Sequence, residues 1–350
     1  MTTSRPGVRP RSGSWPTQAD VARVAGVSQT TVSLVLTGQG VASRRVSEAV
    51  RQRVLRAIDV TGYSVNLAAQ SLVGGRTSII GVYTFESVFP TEAADFYYPF
   101  LAGLEAEAES LGIDLLLFTS LTRRGRTGIQ RLRTADGCVL LGRHSSETDL
   151  ADLVRQGLPF AFIGRREAHG HTVPYAGADY AAATAEVVDH LLDLGHRRIA
   201  FVSAYTGHVS AADRLLGYRR ATARAGTRAV VFDGAETDAG DVIDEVRAAG
   251  MTAIVAASDM ADALRRAMDD RGLRIPDDMS IARLGDPETV VDADLQWTGF
   301  VIPRVEMGAE AIRIVMRQLS DAEDVLTQVL IPCEFARGST TGPPAAGSQP

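Results

Sequence analysis

The sequence predicts a two-lobed α/β body of parallel sheets, preceded by a small all-α head. Three features carry that expectation. From residue 78 onward, short apolar runs alternate with amphipathic helical patterns, as parallel strands covered on both faces require. The alternation restarts at residues 179–194, so the body reads as two similar lobes in series with a cleft between them. Ahead of it, Thr17 to Tyr63 holds two short amphipathic helical patterns around a tight turn and a longer one after them.

Charge divides the chain at the same place. Residues 1–76 hold ten arginines and three acids (Asp20, Glu48, Asp59), a balance of +7, while residues 77–350 stand at -13. The overall charge of -6 hides this contrast. A basic head on an acidic body is the footprint of a nucleic-acid reader with a separate body domain.

In order, residues 1–16 are rich in Arg, Pro, Gly and Ser and are expected to form a disordered arm. Residues 17–63 form the head. Val21, Ala22, Val24 and Ala25 give the first helix an apolar side, and Gly26 suits the turn that follows. Ser28 stands where an N-cap belongs, with Thr31, Val32, Val35 and Leu36 in the second helix. Helix, tight turn and second helix make the unit that sets its second helix in a major groove. A third helix over 47–60 is expected to bury Val50, Val54, Leu55 and Ile58. Its arginines Arg51, Arg53 and Arg56, and the loop pair Arg44 and Arg45, are either phosphate contacts or solvated surface charge. Residues 64–77 read as a short helix opened by Asn66 and released by Gly74-Gly75. Leu67 and Leu72 are too few to bury it, so a partner has to order it.

In the body, strands are expected at 78–85, 113–120, 136–142 and 158–165, with helices at 98–111, around 128–132 and at 149–156. The second lobe places strands at 197–204, 229–233, 251–258 and 279–285, between helices at 179–194, 211–225, 239–249 and 261–272. A last long helix spans 307–319 and one terminal strand 328–336; the body closes at 337, and 338–350 is expected to be a disordered tail.

Several functions find no support. No phosphate loop, HExxH, CxxC or nucleophile elbow occurs, and His169, His171 and His208 lack metal-ligand spacing with acids or cysteines. No cofactor, metal or enzymatic activity is expected. Cys138 and Cys333 lie in apolar runs and read as buried free thiols of a reducing compartment. No transmembrane or signal segment is seen, so a cytoplasmic protein without a membrane partner is expected.

The segments DVARVAGVSQTTVSLVLTG, RQRVLRAIDVTGYSVN and AAQSL, followed by LGHRRIAFVS, DRLLGYRRA, RGLRIPDDMS, VEMGAEA and IPCEFARGST, have a specific order. In that order they resemble the lactose/galactose-repressor family of bacterial transcription regulators, from Thr17 to Thr340. The resemblance implies a periplasmic-binding-protein-like body behind a helix-turn-helix head and a hinge helix. It implies an effector-responsive repressor that binds a palindromic, double-stranded operator as a homodimer and senses a small sugar-like effector. The helix at 98–111 resembles the family's dimer face.

Carried over by position, Gln29 and Thr30 point at base edges, where Gln pairs with adenine and Thr meets thymine. Leu34 stands where members commonly carry a guanine-reading arginine, so base preference there is expected to differ. Thr17, Ser28, Thr31 and Ser33 resemble backbone-contacting or capping residues. Asn66 opens the hinge helix, and Leu72 is the minor-groove wedge. Val65 and Gln70 depart from the usual proline and arginine. In the body, Arg214 falls on the cleft arginine, and Asp179 on an acid at the lobe crossover. Tyr83, Phe85 and Phe89 follow the first strand toward the cleft. Ser258-Asp259 replaces the usual Asn-Asp. Gly285 stands where members carry an acid, with Asp286 its substitute after a one-residue shift. Trp297 either stacks on a sugar face or is packed.

Overall fold

A computed structural model of the chain describes residues 16–37, 46–63, 76–85, 94–118, 122–123, 126–143, 145–168, 170–203, 207–234, 237–286, 295–320 and 326–345. The chain divides into two compact units between Thr77 and Ser78.

The first unit holds α1 (Gln18–Ala25), α2 (Gln29–Thr37) and α3 (Glu48–Thr61). Thr17 caps α1 through a reciprocal box with Asp20: the Thr17 N–H donates to Asp20 Oδ2 at 3.0 Å, and the Asp20 N–H reaches Thr17 Oγ1 at 3.4 Å. These bonds hold the Asp20 carboxyl at about 2, below the usual range. Gly26 ends α1 at φ 63°, a left-handed conformation that a Cβ disfavours. The core is Val21, Ala22, Ala25, Val32, Val35, Val54 and Ala57. Two expected core residues face outward instead: Val24 is 46% exposed and Leu55 43%. On α1 the buried stripe runs 21, 22, 25, which turns Val24 aside; on α3 Val54 and Ala57, one turn apart, take the place assigned to Leu55.

The second unit contains two six-stranded sheets, each carried by βα alternation. The first lobe begins with β1 (Ile79–Thr84), α4 (Ala94–Leu111), β2 (Asp114–Phe118), a 3-10 turn at Gly128–Thr134, β3 (Gly137–Leu141), α5 (Glu147–Gln156), β4 (Phe160–Ile163) and β5 (Tyr175–Ala178). The second holds α6 (Tyr180–Asp193), β6 (Ile199–Ser203), α7 (Val209–Arg224), β7 (Val230–Asp233), α8 (Ala239–Ala248), β8 (Ala253–Ala257), α9 (Ser258–Asp270), β9 (Ser280–Leu284) and β10 (Gly299–Val301). The chain then returns through α10 (Arg304–Leu319) and β11 (Gln328–Ile331) and ends in β12 (Glu334–Ala336). The sheet orders are β11-β5-β4-β3-β1-β2 and β12-β10-β9-β8-β6-β7. The strands pair in parallel, except that β12 runs antiparallel to β10.

The lobes are therefore interleaved, which corrects the reading of them as consecutive. The helix at 304–319 packs on α4 and on strands of the first lobe. The single terminal strand expected at 328–336 is two strands in different sheets: β11 pairs with β5, β12 with β10. Pro332 lies between them, where a residue without an N–H cannot continue the ladder. The short strands β5 and β10 were not anticipated; Tyr-Ala-Gly-Ala and Gly-Phe-Val are too brief to show a period of two.

The expected disordered tail is also corrected. Through residue 345 the chain packs on the second sheet. Thr340 is buried, and its carbonyl accepts from the Ile281 N–H at 2.9 Å. The Gly342 carbonyl accepts from His196 Nε2 at 2.8 Å and from Ser280 Oγ at 3.1 Å. Residues 346–350, like 1–15, lie outside the described residues.

Both cysteines are free. Cys333 is only half-buried, in the break between β11 and β12. Burial pushes the Cys138 thiol up to about 12. Its thiolate fraction at pH 8 is then negligible, and alkylation is expected to be slow in native protein and rapid in denaturant. Mass spectrometry of iodoacetamide-treated protein checks this; rapid native modification of Cys138 would contradict the packing of β3.

Candidate functional site

In the first unit, Gln29 and Thr30 occupy the exposed first turn of α2. The opposite face of the helix supplies Val32 and Val35 to the core, so packing leaves the two polar side chains outside. Ser28 Oγ accepts from the Thr31 N–H at 3.1 Å and pairs with Thr31 Oγ1 at 2.8 Å. Of the two readings of Ser28 and Thr31, the cap is the one this geometry uses. Ser33 and Leu34 follow, half-buried. Arg53 and Arg56 on α3 are exposed, and Arg51 lies 3.8 Å from Glu48. Arg44, Arg45, Val65, Asn66, Gln70 and Leu72 lie outside the described residues.

In the second unit, a cavity of about 410 Å³ opens between the lobes. Its floor is made where strands end. Gly142-Arg143 follow β3, Gly164-Arg165-Arg166 follow β4, Ser203 ends β6, Ser258 follows β8 and Asp286 follows β9. This is the carboxyl edge, where an open parallel sheet leaves a crevice. Helices complete the walls with Phe96, Tyr97 and Phe100 from α4, Tyr180 from α6, and Asp213 and Arg214 from α7.

Arg214 donates from Nε to the Leu284 carbonyl at 3.0 Å and from Nη1 to the Ser210 carbonyl at 3.2 Å. Its guanidinium lies 3.9 Å from the Tyr180 ring centroid. Burial raises the Tyr180 phenol above its ordinary value and keeps it neutral. Arg165 forms a bidentate pair with Asp213, 2.9 and 2.6 Å long, joining the β4 end of one lobe to α7 of the other. That bond holds the Arg165 guanidinium protonated above its usual range. Arg166 donates to the Gly142 carbonyl at 2.7 Å and stacks on Phe162 at 4.3 Å.

Of the expected cleft residues, Arg214, Ser258 and Asp286 line the cavity. The one-residue shift has a backbone cause: Gly285 sits at φ 114°, and a Cβ there would stand 3.2 Å from Arg214 Nη2. Any side chain at 285 is strained by that backbone conformation, and Asp286 accepts from the Ile302 N–H at 3.1 Å. Asp179 caps α6, accepting from the Ala182 N–H at 2.9 Å.

Tyr83, Phe85 and Trp297 do not line the cavity. Ile80 and Val82 share a core with α4 and α10, so alternation along β1 sends Tyr83 to the opposite face, against Phe118 and Leu132. Phe85 follows it, edge-on to Tyr83 at 5.1 Å. Trp297 is buried in the second lobe with Arg283 over its ring at 5.0 Å, which decides for packing. Phe89 and the side chain of Asp259 lie outside the described residues, as does His169. Arg143, Arg165, Arg166, Asp213, Tyr180 and Phe96 went unassigned in the sequence. The signal was available for the first three, which directly follow apolar runs that end in Gly.

Comparison with known proteins agrees with both units. Residues 17–66 match the family described as bacterial regulatory proteins, lacI family, and residues 188–341 match a periplasmic binding protein-like domain. The HTH-type transcriptional regulator CelR of Thermobifida fusca is 30% identical over 324 residues, 87% of this chain and 92% of that protein. DegA of Bacillus subtilis, also an HTH-type transcriptional regulator, is 28% identical over 93% of this chain and 97% of its own. Among solved structures, a CelR–cellobiose complex matches at TM-score 0.61 and 25% identity, covering 93% of this chain and 99% of that one. The lac repressor dimer bound to operator and the anti-inducer ONPF matches in fold at TM-score 0.70 and 24% identity over the same shares.

Proposed function

The chain belongs to the lacI family of bacterial regulatory proteins, and from that membership we propose an effector-responsive repressor that grips a palindromic operator as a homodimer. It is a helix-turn-helix transcriptional regulator. The observation that carries the operator reading is the exposed pair Gln29 and Thr30 at the start of α2, held outward by the core behind them. Two-fold symmetry of a dimer matches a palindrome. Asn66 and Leu72 act as the hinge opening and the minor-groove wedge. Thr17, Ser28, Thr31 and Ser33 cap the head's helices and hold the phosphate backbone in register. The effector is sugar-like, a reading supported by the cellobiose complex of CelR and by the hydroxyl-bearing, arginine-lined cleft. Arg214, Ser258, Asp259 and Asp286 contact it. The body senses and does not catalyse, and the protein works in the cytoplasm, where its operator is.

Gel shift of the purified protein with its own upstream DNA tests the reading. A solute-binding protein with an idle head would give no shift, and an activator would raise rather than lower expression of a reporter behind that DNA. Gln29→Ala is expected to cost about 1–2 kcal/mol of discrimination at one base pair, roughly tenfold in specific affinity. In a binding selection from randomised operators, Leu34→Arg is expected to change the preferred base at its position toward guanine. An unchanged preference in both variants would sink the assignment of α2 as the reading helix.

A further inference from the structure

Among the described residues, the lining of the cleft holds more guanidinium than carboxylate groups: Arg143, Arg165, Arg166 and Arg214 against Asp213 and Asp286. Among the described residues, Arg214 contacts neutral partners: the carbonyls of Leu284 and Ser210 and the rings of Tyr180 and Phe300. Arg304, at the start of α10, lies directly behind the wall, 8% exposed and 4.8 Å over the ring of Phe96. Its Nε and Nη2 are buried and make no hydrogen bond. The carboxylate beside it is Asp286, 3.4 Å from Nη2, and that carboxylate is already accepting from the Ile302 N–H. The other acid among the described lining residues, Asp213, is taken up bidentately by Arg165. Among the described residues, Arg304 therefore has one carboxylate beside it, already engaged, and Arg214 contacts none.

We infer that the effector of this cleft is an anion, a small hydroxylated metabolite whose single carboxylate or phosphate settles between Arg214 and Arg304. This inference rests on the effector-sensing reading above and narrows its ligand class. A buried charge left without a counter-charge is costly, and an oxyanion removes that cost while accepting the idle N–H groups. Charge-assisted bonds of this kind are roughly twice as strong as those a neutral hydroxyl would make. The remaining lining suits the rest of such a ligand. Ser203, Ser210 and Ser258 offer hydroxyls, and Phe96 and Phe201 offer flat apolar faces. A volume of about 410 Å³ suits a compact metabolite rather than a polymer.

The test uses the full chain and probes that differ at one carbon: D-glucose, D-glucuronate and D-glucose 6-phosphate, with inorganic sulfate as the bare anion, all at matched ionic strength. Melting is followed for the native protein, Arg214→Met and Arg304→Met. At about 10 mM, glucuronate or glucose 6-phosphate is expected to raise Tm by about 2 °C or more, with glucose well behind. Which of the two acts separates carboxylate from phosphate, and sulfate is expected to give part of the rise. Both Met variants are expected to lose most of the shift. Because they remove an unbalanced buried charge, their own melting is expected to stay near that of the native protein; should one fail to fold, the other carries the comparison. The inference is overturned if glucose matches or exceeds the anions, if the anions stabilise the variants equally, or if none of the probes moves the native protein. Gel shift of the same unliganded preparation keeps the two readings apart. A retained shift with an unresponsive cleft overturns the anion alone, whereas a lost shift overturns the regulator.

Discussion

Replacing Gly308 by valine is expected to destabilise the body by about 3 kcal/mol or more, a fall in Tm of roughly 6–10 °C. The cause is the crossing of α4 and α10. A Cβ at Gly308 would stand 2.3 Å from the Phe100 carbonyl oxygen, and one at Gly103 would stand 1.9 Å from that of Val305. Both obstacles are backbone, so no side-chain rotation relieves them, and the helices have to separate. They carry Phe96, Tyr97, Phe100 and Met307 of the cavity wall and the buried Arg304, so separation also moves the sensing site. Val315 and Leu104, packed in the same core, lose contact with it. Calorimetry of Gly308→Val against Ala106→Val, an exposed position of α4, isolates the effect. Equal melting of the two variants would mean that the close crossing is not what holds this lobe.

The same helix pair shows where sequence reading stops. Alternating apolar runs identified most strands of both sheets, because a parallel strand buried on both faces must be apolar throughout. Periodicity is local, however, and the path of the chain between lobes is not. Nothing in residues 304–319 says that this helix returns to the first lobe, since its stripe of Met307, Ala311, Ile312 and Val315 would serve either sheet. Arg304 was therefore invisible as a neighbour of the cleft. Resemblance placed Arg214, Ser258 and Asp286 at the cavity: Arg214 lies in the second turn of α7, Ser258 directly after β8 and Asp286 two residues after β9. It misplaced Tyr83 and Phe85, where adjacency in sequence was taken for adjacency in space. One residue along a strand reverses the face, and Val82 rather than Tyr83 shares the core of α4. Arg165 needed knowledge of its partner: an arginine after an apolar run is common, and only the approach of α7 gives it Asp213.

That pair supports the second large effect. Asp213→Ala is expected to weaken the closed arrangement of the lobes by about 2 kcal/mol, roughly a 30-fold change in the ratio of closed to open forms. The pair lies between two regimes. Exposed ion pairs contribute little, about 0–1 kcal/mol, and breaking a fully buried one costs about 3–5 kcal/mol. The side chains here are 27% and 13% exposed, and Arg165 keeps Glu167 as a second partner, which argues for the middle of that range. Its leverage comes from position. Arg165 belongs to the turn after β4 in one lobe and Asp213 to α7 in the other, so every opening of the cleft must break both hydrogen bonds at once. An effector that closes the cleft would then bind Asp213→Ala more weakly by about the same factor, since ligand binding must supply the closure that the pair no longer favours. Asp213→Asn, which keeps the shape and loses the charge, is expected to fall between the two. A double-mutant cycle with Arg165→Ala measures the coupling directly, with small-angle scattering as the readout of lobe opening. A coupling energy near zero, or scattering unchanged across the cycle, would show that the lobes are held by their three covalent crossings and the shared core, and that the pair only decorates the rim.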